Sequence, residues 1–203
     1  MEHIYKNIKG WFNFRNQYEL ALEKIPSGGT FVEVGSYLGK SISYTIVESI
    51  NLQKNLNIHC IDYWNGNPND SNYMNGADDK KFKKLYNQFL KNTKSLQDYF
   101  THHKMISWEA AKIFENNSVD YLMIDAGHDY QSVKLDLNSW WPKIKSGGMM
   151  GGDDFADHKD NGVKKALDEF CKEKNLKYTL LSNCKKSNPN IISKVNKNWY
   201  IIK

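Results

Sequence analysis

Arginine is almost missing from this chain. Of 28 basic residues only Arg15 is arginine, and the lysines are scattered among Asp, Glu and Asn with no basic run longer than two. Bidentate phosphate and guanine readers are usually arginines. The net charge of +5 therefore describes a solvated lysine surface and argues against a nucleic-acid partner. Cysteine is scarce and odd in number (Cys60, Cys171, Cys184), with no CxxC pair and no Cys/His cluster. That speaks against thiolate zinc and against a disulfide framework, and a reducing, cytoplasmic setting is the expectation. No stretch reaches the roughly 18 consecutive apolar residues of a membrane helix. The N-terminal MEHIYKNIKGWFNF lacks the apolar core of a signal peptide.

What is present is an ordinary globular composition. The 203 residues suit one domain, and 9 Phe, 6 Trp and 12 Tyr must pack somewhere, which rules out disorder as a general state. No internal repeat or low-complexity tract is visible. Helical spacing over residues 4–24 stops at Ile25-Pro26-Ser27-Gly28-Gly29. Five short apolar runs then alternate with helix-spaced segments. Strands are expected at Thr30–Val34, Asn57–Asp62, His103–Ser107, Val119–Ile124 and Gly147–Gly152. Helices are expected at Ser41–Asn51, Asp79–Lys91, Trp108–Phe114, Tyr130–Ile144 and Asn161–Lys174. Two last strands, Lys177–Leu181 and Trp199–Ile202, have no helix between them and are expected to pair antiparallel at an edge. Such alternation implies an α/β fold with a mostly parallel sheet and helices on both faces. The polar, Asn- and Gly-rich stretch 63–78, with Trp64, Asn65 and Tyr73, is a lid candidate because long loops in compact domains are often functional. Trp11, Phe12 and Phe14 are candidates for packing against a partner in a homo-oligomer.

In sheets of this kind ligands bind just past the carboxyl ends of the strands. The first strand ends in Glu33-Val34-Gly35-Ser36-Tyr37-Leu38-Gly39-Lys40-Ser41. Two glycines four apart allow a tight turn, and the next helix presents free N–H groups. A Walker loop needs four residues between its glycines; here there are three, and Glu33 would repel a triphosphate. A G-x-G-x-x-G fingerprint is absent. An acid followed by G-x-x-x-G suits a ligand bearing an ammonium, although a plain βα turn explains the same residues. Asp62 ends the second strand at a distance suited to accepting ribose hydroxyls. Ser107-Trp108 end the third, where an adenine would rest; Trp108 is equally readable as a core residue. Asp125 ends the fourth strand with His128 three residues on, and Asp153-Asp154 end the fifth. Converging carboxylates repel one another unless a cation or protons compensate. Oxygen donors without thiolate point to Mg²⁺, Mn²⁺ or Ca²⁺.

These residues resemble a known family. The run Phe31–Ser41 is similar to the first motif of class I S-adenosylmethionine-dependent methyltransferases. The blocks Ile124-Asp125-Ala126-Gly127-His128-Asp129-Tyr130, Asp136-Leu137, Trp140, Gly147–Phe155, Gly162-Val163 and Ala166 narrow the resemblance. They look like metal-dependent small-molecule O-methyltransferases of the macrocin type, over residues 28–175. The resemblance implies a three-layer Rossmann-like domain with seven strands and an antiparallel edge strand. It spans the whole chain, with 1–27 as N-terminal helix and connection and 28–203 as core. Cofactor contacts are implied from Glu33, Gly35, Ser36, Gly39, Ser41, Asp62, Ser107, Trp108 and Asp125. Mg²⁺ ligation is implied from Asp125, Asp153 and Asp154, with His128 as base. Many relatives carry Gly-His-Asp where this chain has Gly152-Asp153-Asp154, so Asp153 fits the metal-dependent branch alone.

The implied reaction is displacement at a sulfonium methyl by the hydroxyl of a small-molecule acceptor, with Mg²⁺ orienting that hydroxyl and His128 taking its proton. Competing expectations are a catalytically silent cofactor-binding module and, less well supported, a nucleotide-binding NTPase. A nucleic-acid methyltransferase is disfavoured by the missing Asn-Pro-Pro-Tyr-type motif and the missing arginine.

Overall fold

A computed structural model of the chain describes residues 1–66, 79–155, 162–185 and 188–203, with side chains left out at 79–81 and 183–197. Seven strands form one sheet. They are β1 (Thr30–Val34), β2 (Asn57–Asp62), β3 (Thr101–Lys104), β4 (Val119–Ile124), β5 (Ile144–Gly152), β6 (Thr179–Lys185) and β7 (Asn188–Ile202). Their order is β3-β2-β1-β4-β5-β7-β6. All pairings from β3 to β5 are parallel, while β7 runs against both β5 and β6. The last two strands thus pair antiparallel at the sheet's edge as expected, with the reversed strand one place in from the rim.

The helices are α1 (Arg15–Lys24), α2 (Lys40–Asn51), α3 (Asp79–Thr93), α4 (Ser107–Ala110), α5 (Tyr130–Trp140) and α6 (Gly162–Glu173). They cover both faces of the sheet, and strand periodicity decides which side chain meets which layer. Val32, Val34, Leu122 and Ile124 join α5 and α6 in one core, with Val133, Leu137, Trp140, Leu167 and Phe170. Phe31, Cys60, Tyr121 and Met123 join α1, α2 and α3 in the other, with Tyr18, Ile42, Ile46 and Phe89. By the same alternation Glu33 points into the second layer, among aromatic residues. β5 carries two glycines before Met149 and two after Met150. The last two serve packing: a Cβ on Gly151 would sit 1.8 Å from Gln17 Nε2, and one on Gly152 2.4 Å from the Trp199 ring.

Several boundaries differ from the sequence expectation. The first helix begins only at Arg15; before it stand a short 3₁₀ turn at Tyr5–Asn7 and Gly10 at φ 126°. The third strand lies at Thr101–Lys104, not at 103–107, and Ser107 already opens α4. The helix expected to run to Ile144 ends at Trp140; Pro142 sits in a 3₁₀ turn, and Ile144 starts β5. Phe12 and Phe14 pack into the second core instead of presenting themselves to a partner, and only Trp11 is largely exposed. Trp64 is also corrected: it is 1 % exposed and clasped by Phe89 at 4.4 Å and Tyr86 at 4.9 Å, so it anchors the start of its loop. Tyr73 and most of the lid candidate lie outside the described residues. Among the described residues no helix is long and apolar enough to cross a membrane.

Because Gly152 and Trp199 are paired across β5 and β7, an added methyl has no free space to occupy. Gly152→Ala is expected to destabilise the fold by about 1–3 kcal/mol, read as a lowered midpoint in urea with an unchanged slope; an unshifted midpoint would show that the Trp199 ring yields freely.

Candidate functional site

The sheet order turns back on itself between β1 and β4, and the predicted site residues gather there. The register pairs Val34 with both Ile61 and Ile124, and Ile124 with Gly152. The residues just beyond, Gly35, Asp62, Asp125 and Asp153, are therefore level along one rim. The ladder continues past the strand ends: Gly35 N donates to Ile61 O at 2.8 Å and Asp125 N to Val34 O at 2.8 Å. Gly35 adopts φ 93°, and a Cβ on it would lie 1.8 Å from the Asp125 carbonyl oxygen. Its glycine character serves this backbone crossing. Gly39, at φ 85°, is the N-cap of α2, and a Cβ there would press on Thr93 at 2.7 Å. Both glycines serve close passages within the protein itself.

Asp62 is the tie between two loops. Its Oδ2 accepts from Tyr37 N at 2.8 Å and its Oδ1 from Trp64 N at 2.6 Å, while Trp64 Nε1 donates to Tyr37 O at 2.7 Å. Tyr37 and Trp64 stand at φ 47° and 45°, conformations that bulky residues adopt only when held there. Burial pushes the Asp62 carboxyl up to about 6, against the pull of those backbone N–H groups. Each oxygen still has a lone pair to offer a ligand hydroxyl.

Glu33 is 1 % exposed. Tyr18 Oη donates to its Oε2 at 2.6 Å, and its Oε1 has no hydrogen-bond partner. Burial raises its pKa to about 7, although the Tyr18 hydrogen bond and, by proximity, the Ser36 and Ser41 hydroxyls hold it down. Ser36, 2 % exposed, likewise keeps an Oγ without a partner. Unsatisfied buried acceptors and donors are costly, and here two of them adjoin the same loop. Further along the rim, Ser107 Oγ accepts from Trp140 Nε1 at 2.9 Å, and Trp108 is half-buried beside it. Asp136, 1 % exposed, has burial raise its carboxyl to about 7 despite the nearby Ser107 hydroxyl. Sequence reading passed over Asp136 and Tyr18. The signal for Asp136 was an acid on the helix face that carries Val133, Leu137 and Trp140.

The metal candidates divide. Asp125, His128 and Asp154 bring one ligand atom each within 4.8 Å of one another. Asp153 was expected in the set but is not part of this cluster; its backbone N reaches Ile124 O at 3.4 Å. Asp154 is turned toward His128 by a left-handed backbone, φ 57°, which Asp tolerates better than most residues. His128 Nε2 stands 3.0 Å from Asp154 Oδ2 and 3.8 Å from Asp125 Oδ1. The His128 loop is pressed by α6: a Cβ on Gly162 would lie 2.4 Å from the His128 carbonyl oxygen. Burial alone would lower the imidazole's pKa; the two carboxylates outweigh it and lift it to about 10. Asp125 is raised, by burial first and by Asp154 in addition. The donor set of hard carboxylate oxygens beside an imidazole fits a divalent cation such as Mg²⁺ or Mn²⁺.

Residues 32–155 match the sequence model of a methyltransferase domain family. The chain is an S-adenosylmethionine-dependent methyltransferase of class I. Solved structures agree in fold. The O-methyltransferase NovP superposes with a TM-score of 0.65 at 17% identity, over 93% of this chain and 78% of that one. CalS11, a TDP-rhamnose 3′-O-methyltransferase of calicheamicin biosynthesis, gives 0.60 at 13%, over 92% and 76%. A putative rRNA-methylase from Clostridium thermocellum gives 0.62 at 14%, over 96% and 99%. At such identities the likeness is one of fold. No curated protein matches the sequence. The methyltransferase fold accounts for the rim at which these polar groups gather, and the orphaned atoms of Glu33 and Ser36 fit a ligand with polar groups such as S-adenosylmethionine.

The His128 environment has a direct spectroscopic consequence. In the metal-free protein its imidazole should stay protonated through neutral pH and titrate near 10. The proton count of folding then favours the native state below about 6.5, and that contribution fades as pH rises through 10. Asp154→Asn should bring the titration down sharply in a proton NMR pH series. An unchanged midpoint in that variant would mean that the carboxylate does not hold the proton.

Proposed function

We propose that this methyltransferase acts on a hydroxyl of a small-molecule acceptor, with a divalent cation held at Asp125 and Asp154. What carries the proposal is one juxtaposition: the Asp125–His128–Asp154 cluster shares a rim with Glu33 and Asp62. The fold neighbours NovP and CalS11, both O-methyltransferases and the latter acting on a sugar nucleotide, support this acceptor class. The scarcity of arginine argues against nucleic acid as acceptor.

In this proposal Glu33 binds the ammonium of the cofactor's amino-acid end, with Ser36 and Ser41 beside it. Asp62 accepts the ribose hydroxyls. Ser107 and Trp108 border the adenine. Gly35 and Gly39 shape the loop, and Asp125 flanks both cofactor and cation. When bound, S-adenosylmethionine supplies a methyl group on a sulfonium and the cation supplies a Lewis acid that acidifies a hydroxyl. His128 takes the proton that the hydroxyl oxygen gives up as it gains the methyl. That role requires a neutral imidazole. The two carboxylates that hold it protonated are the ones assigned to the cation, so their charge is shared once both ligands are in place. Asp153, outside the cluster, is retained only as a neighbour of the site.

The cation assignment is tested by titrating Mn²⁺ into the protein and reading binding by calorimetry or electron paramagnetic resonance. Asp125→Asn and Asp154→Asn should abolish the signal. With an acceptor found by screening sugars, catechols and polyketides, His128→Ala should slow methyl transfer about 10²–10⁴-fold while cofactor binding persists. Activity indifferent to EDTA would remove the cation and leave the methyltransferase standing.

Glu33 adds a pH dependence whose sign is fixed. Only the carboxylate attracts an ammonium, and the free group titrates near 7. Affinity for S-adenosylhomocysteine should be full above pH 7 and weaken by up to about tenfold per unit as pH falls below it. Glu33→Gln should flatten this stretch of the calorimetric profile; a flat profile in the parent would remove Glu33 from the ammonium site.

A further inference from the structure

The matched family region starts at residue 32, so α1 stands outside it. Yet α1 sends a side chain to Glu33, near the carboxyl end of β1. Tyr18 is fully buried, and its ring is boxed by Phe12 at 5.3 Å, Phe14 at 5.4 Å, Phe31 at 5.2 Å and Tyr121 at 6.1 Å. Such a box leaves the phenol little rotational choice. Its hydroxyl donates to Glu33 Oε2 at 2.6 Å, and burial among carboxylates keeps it a protonated donor. A carboxylate can rotate and offer either oxygen; a short bond from a fixed donor removes that freedom. Oε2 is thereby occupied and Oε1 left without a partner.

We propose that Tyr18 is a positioning residue for the amino-acid end of the cofactor: it pins one oxygen of Glu33 so that the other is presented to the ligand's ammonium. The proposal rests on Glu33 being the ammonium ligand, and it assigns a cofactor-binding task to the N-terminal helix. A merely structural Tyr18 would support the whole pocket alike. A positioning Tyr18 acts on the one part of the ligand that Glu33 touches.

The experiment compares two ligands by calorimetry. S-Adenosylhomocysteine carries the amino-acid end, and 5′-methylthioadenosine has the same nucleoside without it. Tyr18→Phe keeps the ring and removes the donor. It should weaken S-adenosylhomocysteine roughly 10- to 100-fold, the scale of a hydrogen bond to a charged group, and leave 5′-methylthioadenosine within about twofold of the parent, inside the few tenths of a kcal/mol by which uncoupled changes stray. In a Glu33→Gln background the same substitution should cost S-adenosylhomocysteine almost nothing, since the two losses share one cause. Equal losses for both ligands, no loss for either, or additive losses in the double variant would overturn the proposal. A parent protein that binds 5′-methylthioadenosine and S-adenosylhomocysteine equally well would instead overturn the assignment of Glu33 itself, and the proposal with it.

Discussion

The crossing of Gly35 over the Asp125 carbonyl is the contact on which the site depends. With only 1.8 Å between a would-be Cβ and that oxygen, β1 and β4 can leave the sheet in one way. The loop after β1 then turns toward Asp62, and the loop after β4 turns toward Asp154. No side chain is needed to set this geometry, because it follows from two backbones that pass too closely for one. The positive φ values of Tyr37, Trp64 and Asp154 extend the same constraint around the rim, one beyond each of β1, β2 and β5. Strain of this kind persists only where the surroundings over-determine it, and the Asp62 carboxylate with its two backbone donors does so here.

The electrostatics follow from that closeness. Glu33, Asp62 and Asp125 are all pushed above the ordinary carboxylate range, in each case by burial first. Only part of their hydrogen-bonding capacity is met within the protein. A ligand that brings an ammonium and hydroxyls stabilises such groups, and because it binds only the folded chain its whole differential appears as added stability. His128 is the counterpoint: its imidazole is held protonated by Asp125 and Asp154, and its positive charge offsets theirs.

Much of this was legible in the residues. The alternation of short apolar runs with helix-spaced segments carried the parallel sheet, and the rule about carboxyl ends carried Glu33, Asp62, Asp125 and Asp154 to one rim. The misses have physical reasons. β3 is Thr-His-His-Lys at an exposed edge, so it has no period-two signal to find. Apolar spacing persists through Trp141 and Ile144 and so imitates a longer helix; Pro142 was the better guide. Asp153 and Asp154 are adjacent, and no spacing argument tells which carboxylate a left-handed turn will bring to His128. Tyr18 lies 15 residues before Glu33 on another element, beyond any local pattern.

Strand parity nevertheless contained a clue to Tyr18. Glu33 shares its face with Phe31, and that face meets Tyr121 and Met123 of the neighbouring strand. A carboxylate directed into so apolar a layer needs a donor from whatever packs upon it. The covering element is α1, whose buried residues are Gln17, Tyr18, Ala21 and Leu22; of these Gln17 already donates to Trp199 O at 3.1 Å. Tyr18 is what remains with a hydroxyl to give. An N-terminal helix that seemed only to close the core is in this way drawn into the chemistry of the sheet's far end, because burying one acid in an aromatic layer obliges the layer above to answer it.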